Sequence, residues 1–222
     1  MFRIKICGLT TPDDAREAVA AGADAIGLNF FSGSPRFVTA EQAQEIGAVI
    51  SAEVARVGVF VNSSPTEIDR IATIVGLDWI QLHGNETPEM VAELIDSRPI
   101  IRVHRQADRA STGIQEDLIA CQRAGRSPAA VLVDAAAPGK YGGTGITVRW
   151  TELADHQSWL GETPLILAGG LTPENVAEAI STARPEAVDV ASGVESSTGV
   201  KDVAKMRSFV QSARASFAEF DH

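Results

Sequence analysis

The chain has 222 residues, of which 45% are hydrophobic and 22% charged, and its formal net charge is -10. This length allows a full hydrophobic core without disulfides, and the composition is typical of a soluble globular protein. The acidic balance argues against nucleic acid as a partner, because nucleic-acid binding needs a basic face. It permits an anionic small molecule, since backbone N–H groups and a few arginines can form a local anion site.

The number and spacing of the cysteines, together with the hydropathy of the chain, predict the cellular compartment. Cys7 and Cys121 form neither a CxxC motif nor a disulfide framework, and no metal-ligand pattern is present. The N-terminus lacks the apolar segment of a secretory signal, and no stretch approaches the ~20 apolar residues of a membrane span. We therefore expect a cytoplasmic protein without membrane contact or metal. The sequence leaves open whether it is a monomer or a homodimer.

Short apolar runs alternate with amphipathic segments along the whole chain. The apolar runs predict strands at Phe2–Ile6, Ala25–Asn29, Ala55–Val61, Asp78–Leu82, Pro99–Val103, Ala130–Asp134, Pro164–Ala168 and Ala187–Ala191. The clearest helix starts have a Thr or Ser N-cap followed by proline, at Thr11, Ser64, Thr87 and Thr172. Further helices are predicted to begin near Ala40, Ser111, Val148 and Val200. The continuous apolar strands favour a parallel sheet covered by helices.

Eight strand–helix units in this length predict a single (β/α)8 barrel domain spanning residues 1–222. The alternative is a doubly wound open sheet, which uses the same alternation of strands and helices. The first strand is followed by "CGLTTPDD", which lacks the GxGxxG motif that would favour the open sheet.

Chemically distinctive residues follow the carboxyl ends of the predicted strands, where barrel enzymes place their active sites. Cys7 ends the first strand, Arg36 lies in the second loop, His83 follows the fourth strand and Asp134 ends the sixth. The planar guanidinium of Arg36 suits bidentate binding of an anionic group on the ligand. His83 is a candidate site residue or a strand-end histidine without a role in the site.

Glycine-rich loops after the last three strands indicate a phosphate site. Glycine lets backbone N–H groups approach an anion closely, and barrel phosphate sites commonly use the loops after strands 7 and 8. The candidate residues are Gly142, Gly143, Gly145, Gly169, Gly170, Ser192 and Gly193.

Asp134 and Cys7 form a candidate acid–base pair at opposite strand ends. Asp134 closes the apolar strand "AAVLVD" and is a candidate proton donor. Cys7 needs a nearby cation to act as a thiolate, and strand alternation places Lys5 on its face. Asp189 is predicted to point inward and pair with Lys5. Taken alone, Cys7 is better interpreted as a small buried hydrophobe, and its place among these loops favours the catalytic interpretation.

Seven motifs together resemble those of the phosphoribosylanthranilate isomerase family and span nearly the whole chain. They are "KICGLT", "GLNFFSGSPR", "VGVFVN", "QLHG", "VDAAAPGKYGGTG", "LAGGLTPENV" and "VDVASGVESSTGVKD". The resemblance implies a cofactor-free Amadori rearrangement of a small phosphoribosyl substrate in tryptophan biosynthesis. It implies Asp134 as the general acid and Cys7 as the general base. It also implies that Arg36 holds the anthranilate carboxylate and that the glycine loops hold the phosphate.

Three other functions are compatible with parts of the pattern. A Schiff-base aldolase needs a lysine at a strand end, and Lys140 in the sixth loop and Lys5 within the first strand are poor candidates. An isomerase of the related histidine-pathway substrate needs a second phosphate site near the second loop. A non-catalytic phosphosugar-binding barrel would not need Cys7 or Asp134.

Overall fold

A computed structural model of the chain describes residues 1–95, 97–105, 111–134 and 150–220. Within these residues, eight parallel strands pair in chain order, and the last pairs with the first to close a barrel. The strands are β1 Ile4–Cys7, β2 Ala25–Asn29, β3 Ala55–Phe60, β4 Trp79–Leu82, β5 Ile100–Arg105, β6 Ala130–Asp134, β7 Leu165–Leu167 and β8 Ala187–Val190. The barrel prediction is confirmed, and the open-sheet alternative is wrong.

Helices cover the outside of the barrel. They are α1 Pro12–Ala21, α2 Ala40–Gly47, α3 Pro65–Val75, α4 Pro88–Glu93, α5 Ser111–Ala124, α6 Gln157–Leu160, α7 Val176–Ala183 and α8 Val203–Ala218. Two 3-10 turns, Trp150–Leu153 and Ser192–Val194, and a hairpin of β9 Glu195–Ser197 with β10 Val200–Lys201 complete the described elements. None of the described helices is long and apolar enough to cross a membrane.

Three of the four predicted N-caps are confirmed. The hydroxyls of Thr11, Ser64 and Thr87 accept the N–H groups of the third residue after each, at 3.1, 3.3 and 3.3 Å. These bonds satisfy N–H groups that the first helical turn cannot pair internally.

One predicted N-cap is wrong, the helix predicted to begin near Val200 begins three residues later, and the start predicted near Val148 lies outside the described residues. Thr172 does not cap α7, because the Asn175 side chain accepts the Thr172 N–H at 2.8 Å and folds this segment as a turn. Val200 lies in a strand, and α8 begins at Val203 because Asp202 caps it through the Lys205 N–H at 3.0 Å.

Strand alternation sorts the core into two layers. In β1, Ile4 and Ile6 face the helices and belong to the apolar layer between barrel and helices. Lys5 and Cys7 face the other way, and Lys5 is fully buried inside the barrel. An inner apolar layer fills the rest of the barrel, with Phe2, Ala25, Val57, Ile101, Ala130, Leu132, Ile166, Ala168 and Ala187. One face of β1 therefore packs against the helices, and the other places the Lys5 ammonium and the Cys7 thiol inside the barrel.

Candidate active site

A cavity of about 720 Å³ opens at the carboxyl ends of the strands. Its lining includes every predicted site residue that the structure describes, namely Cys7, Arg36, His83, Asp134, Gly169, Gly170, Asp189, Ser192 and Gly193. The predicted Gly142, Gly143 and Gly145, together with Lys140, lie outside the described residues. Loops from distant parts of the chain thus contribute to one concave surface, as expected for a barrel site.

The Cys7 side of the cavity is built around the buried ammonium of Lys5. Lys5 Nζ donates to Asp189 Oδ2 and to Gln81 Oε1, each at 2.9 Å, and the predicted Lys5–Asp189 pair is confirmed. Burial alone would lower the pKa of Lys5, but its interactions with Asp189 and Cys7 outweigh this effect and the pKa is raised. Lys5 therefore stays protonated on the floor of the cavity, which makes it a poor Schiff-base nucleophile.

Cys7 lies in this charged setting but is itself buried. Burial raises the pKa of the Cys7 thiol, Asp189 raises it further, and Lys5 and Lys201 lower it only in part. The net direction is upward, so the thiol form predominates at neutral pH. Lys5 does provide the cation expected from the sequence, but burial outweighs its effect.

On the opposite side, Asp134 ends β6 and is largely buried. His83 Nε2 lies 3.4 Å from Asp134 Oδ2, and His83 Nδ1 lies 3.0 Å from Gln81 Nε2. A strand-end carboxyl and an imidazole therefore face each other at the wall of the cavity, and both side chains can move or hold a proton there.

Arg36 reaches the cavity already bound to an acidic residue. Its Nε and Nη2 donate to the two carboxylate oxygens of Glu195 at 2.6 and 2.7 Å. Glu195 also accepts from Lys201 Nζ at 2.9 Å and from the Gly199 N–H at 3.2 Å. Burial would raise the pKa of Glu195, but Arg36 and Lys201 outweigh it and lower it. The Nε and Nη2 side of the guanidinium is thus held by Glu195, and the two N–H groups of Nη1 and the second N–H group of Nη2 are left to bind a ligand.

The loops after β7 and β8 pack against each other at the rim. Gly169 and Gly170 have φ of 84° and 67°, a left-handed backbone that favours glycine. A Cβ at Gly193 would collide with the carbonyl oxygen of Leu171, so glycine there lets the β8 loop sit on the β7 loop. Asn175 Nδ2 donates to the Gly170 carbonyl at 3.0 Å and fixes the turn.

The described residues contain no group of three or more His, Cys, Asp or Glu side chains arranged to hold a metal ion. The side chains that line the described part of the cavity include three carboxyl groups, a thiol, an imidazole and a guanidinium.

Residues 4–212 match the sequence profile of N-(5'-phosphoribosyl)anthranilate isomerase. The chain belongs to the N-(5'-phosphoribosyl)anthranilate isomerase family. A family member from Geobacter sulfurreducens is 46% identical over 214 residues, which cover 96% of this chain and 99% of the relative. The crystal structure of phosphoribosyl anthranilate isomerase from Thermotoga maritima has a TM-score of 0.82 and 34% identity, covering 97% of this chain and 100% of that one.

Another solved structure of the family contains a ligand. It is a phosphoribosyl anthranilate isomerase in complex with reduced 1-(o-carboxyphenylamino)-1-deoxyribulose 5-phosphate. It has a TM-score of 0.81 and 33% identity to this chain, and the match covers 97% of this chain and 100% of that one.

Sequence reasoning missed three residues that organise this isomerase-family site: Glu195, Lys201 and Asn175. Glu195 carried a signal, since an acidic residue inside the glycine-rich segment "ASGVE" is unexpected beside a phosphate site. Its contact with Arg36 spans 159 positions of the chain, so no local spacing rule reveals it.

Proposed function

We propose that this cavity carries out the family reaction, the Amadori rearrangement of N-(5'-phosphoribosyl)anthranilate to 1-(2-carboxyphenylamino)-1-deoxyribulose 5-phosphate. Family membership gives the activity, which is that of an isomerase of tryptophan biosynthesis. The observation that supports the assignment of residues is that Cys7, Asp134 and Arg36 line one cavity together with two glycine loops. The reaction needs an acid, a base and two anion sites, and these residues can supply them.

Asp134 is the proposed general acid. It donates a proton to the ribose ring oxygen, the bond between that oxygen and C1 breaks, and the anthranilate nitrogen forms a Schiff base with C1. This step requires a proton on the Asp134 carboxyl before the ring opens and leaves a carboxylate afterwards. The imidazole of His83, 3.4 Å from Asp134 Oδ2, is placed beside the charge that develops.

Cys7 is the proposed general base. It removes the proton from C2 of the Schiff base, which gives an enolamine, and the enolamine tautomerises to the ketone product. Because burial raises the pKa of Cys7, the thiolate is scarce at neutral pH but is a strong base when formed. Lys5 and Lys201 lower the Cys7 pKa and so stabilise that thiolate.

The two ends of the substrate are bound by different elements. We assign the phosphate to backbone N–H groups of the loops containing Gly169, Gly170, Ser192 and Gly193, since these loops lie at the cavity rim. We assign the anthranilate carboxylate to Arg36, which Glu195 fixes in place. Participation of Gly142, Gly143 and Gly145 in phosphate binding stays a prediction. The cavity, about 720 Å³, is within the usual range for small-molecule sites.

The test is turnover of N-(5'-phosphoribosyl)anthranilate, followed by loss of its fluorescence, for the wild type, Cys7→Ser and Asp134→Asn. Each variant is expected to lose about two to four orders of magnitude in kcat while retaining product-analogue affinity. Cys121→Ser is the matched control, because Cys121 is buried in α5 away from the cavity. Full activity in either site variant would refute the assigned role, and absence of turnover in the wild type would refute the function.

We further propose that residues 1–222 act as one catalytic domain in the cytoplasm, as a monomer or a homodimer. Sedimentation equilibrium of the purified chain decides between the two states.

A further inference from the structure

A continuous line of polar side chains crosses the barrel interior from the Cys7 side to Asp134. Lys5 Nζ donates to Gln81 Oε1 at 2.9 Å, and Gln81 Nε2 lies 3.0 Å from His83 Nδ1. His83 Nε2 then lies 3.4 Å from Asp134 Oδ2. Lys5 and Gln81 are fully buried, so water does not compete for the bond between them.

The donors and acceptors along this line have only one consistent arrangement. An ammonium group can only donate, so Lys5 fixes the Gln81 carbonyl oxygen toward itself and turns the amide nitrogen toward His83. That amide nitrogen can also only donate, so His83 Nδ1 must accept. The single ring proton of His83 is consequently on Nε2, the nitrogen that faces Asp134.

We propose that Gln81 is a positioning residue of the isomerase, which locks His83 in the tautomer that presents Nε2–H to Asp134. The role of Asp134 in this inference rests on the proposed function. Because Nε2–H can only donate, Asp134 Oδ2 is the oxygen placed to accept from it, which assigns the proton to be transferred to Oδ1. After ring opening, the same Nε2–H stabilises the Asp134 carboxylate.

The resting geometry leaves room for this interaction to strengthen. His83 Nε2 is buried and has no hydrogen-bond partner among the described residues, and its 3.4 Å separation from Asp134 Oδ2 is longer than a usual hydrogen bond. A buried N–H without a partner is costly, and a negative Asp134 would shorten the contact. The hydrogen bond from His83 Nε2–H to Asp134 is therefore stronger after proton transfer than before it. An interaction that strengthens during the reaction stabilises the transition state more than the ground state.

The tautomer can be read directly by long-range ¹H–¹⁵N correlation NMR of the ring nitrogens, without substrate, at about pH 8, where a free imidazole is neutral. The chain has only 4 histidines, and His83→Asn identifies the signals of His83. We expect Nδ1 of His83 to carry the lone pair and Nε2 the proton. A His83 signal with the proton on Nδ1, or on both nitrogens, would overturn the proposal whatever the activity.

Gln81→Glu gives the functional half of the test. A glutamate accepts from both Lys5 and His83, so the ring proton should move to Nδ1 and the donor facing Asp134 should be lost. We expect kcat to fall about 10- to 100-fold, with KM nearly unchanged. Gln122→Glu makes the same change on the exposed face of α5 and should leave both parameters at the wild-type level.

The outcomes separate the inference from the function on which it rests. A flipped tautomer with wild-type kcat in Gln81→Glu would overturn the positioning role while leaving the isomerase assignment intact. If the wild type does not convert N-(5'-phosphoribosyl)anthranilate, the proposed function itself is refuted. If Gln81→Glu fails to fold, Gln81→Met removes the amide without adding charge, and a mixture of His83 tautomers with reduced kcat is then expected.

Discussion

Two clusters of buried polar side chains lie on opposite faces of the barrel wall. The inner cluster, Lys5, Gln81 and Asp189, lies inside the barrel, where Lys5 and Asp189 share one hydrogen bond of 2.9 Å. The outer cluster, Glu86, Arg102 and Asp117, lies between β5 and α5, where Arg102 donates to both carboxylate oxygens of Asp117 at 2.9 and 3.1 Å. The clusters are similar in burial but differ in how completely their polar atoms are used.

The outer cluster binds neighbouring backbone as well as side chains, whereas the inner cluster leaves an acceptor unused. Glu86 accepts the N–H groups of Asn62, at 2.8 Å, and of Gly84. Asp189 Oδ1, by contrast, is buried without a partner among the described residues, and Asp189 lines the large cavity. An unpaired buried acceptor costs free energy, and this one lies beside the cavity, where a ligand group could donate to it. The two clusters therefore differ in one unpaired carboxylate oxygen, which lies in the cluster that borders the cavity.

The largest expected effect tests the outer cluster. Arg102→Met leaves Asp117 and Glu86 buried without their cation, and removal of one partner of a buried pair costs about 3–5 kcal/mol of unfolding free energy. The folded fraction should keep its kcat, because Arg102 does not line the large cavity. Urea unfolding and turnover per folded molecule measure the two effects. A fall in kcat with an unchanged free energy of unfolding would contradict the proposal that the outer cluster serves stability and the inner cluster serves turnover.

Lys5→Met should show the opposite balance. It removes the cation that orients Gln81 and that offsets the charge of Asp189, so we expect kcat to fall about 100-fold, which is about 2.7 kcal/mol in barrier height. Its effect on unfolding should be smaller than that of Arg102→Met, because Asp189 borders the cavity and can be hydrated from it. The same two assays apply, and near-normal turnover would show that the inner cluster is only structural.

Glu195→Gln extends the comparison to the rim. The carboxamide can accept from only one nitrogen of the Arg36 fork, so the guanidinium should lose its fixed orientation. We expect KM to rise about tenfold, with kcat changed much less, because Arg36 is assigned to binding. Steady-state kinetics check this, with Glu174→Gln on the exposed surface as the control. An unchanged KM would contradict the assignment of Arg36 to substrate binding.

The barrel could be predicted from the sequence because its signals are local. Continuous apolar runs marked the strands, and Thr-Pro or Ser-Pro pairs marked helix starts. The same local signal failed at Thr172, where Asn175 competes for the backbone through its side chain. The helix predicted near Val200 begins at Val203, because the chain first forms a hairpin with the segment after β8.

Individual residues of the site could be predicted from the sequence, but most of the hydrogen bonds and ion pairs between them could not. Placement at a strand end was sufficient to bring Cys7, Asp134 and His83 to one cavity. Strand parity was also sufficient for Lys5 and Asp189 to meet. Burial of Cys7 was not visible in the sequence, and its effect on the thiol pKa exceeds that of the predicted cation.

The smallest expected effect is a shift in pH dependence, and it compares the two clusters most sharply. In the proposed mechanism the thiolate is the active form of Cys7, so the part of the kcat/KM profile that reports the Cys7 titration should rise with pH. Because burial raises the pKa of the thiol, this rise should lie at alkaline pH. Lys5 lowers the Cys7 pKa, so Lys5→Met should move this rise to still higher pH. Arg102→Met should leave the profile unchanged, because Arg102 belongs to the outer cluster. Profiles of kcat/KM between about pH 7 and 10 measure both variants, and an equal shift in the two would show that the Cys7 titration responds to lost stability rather than to the charge of Lys5.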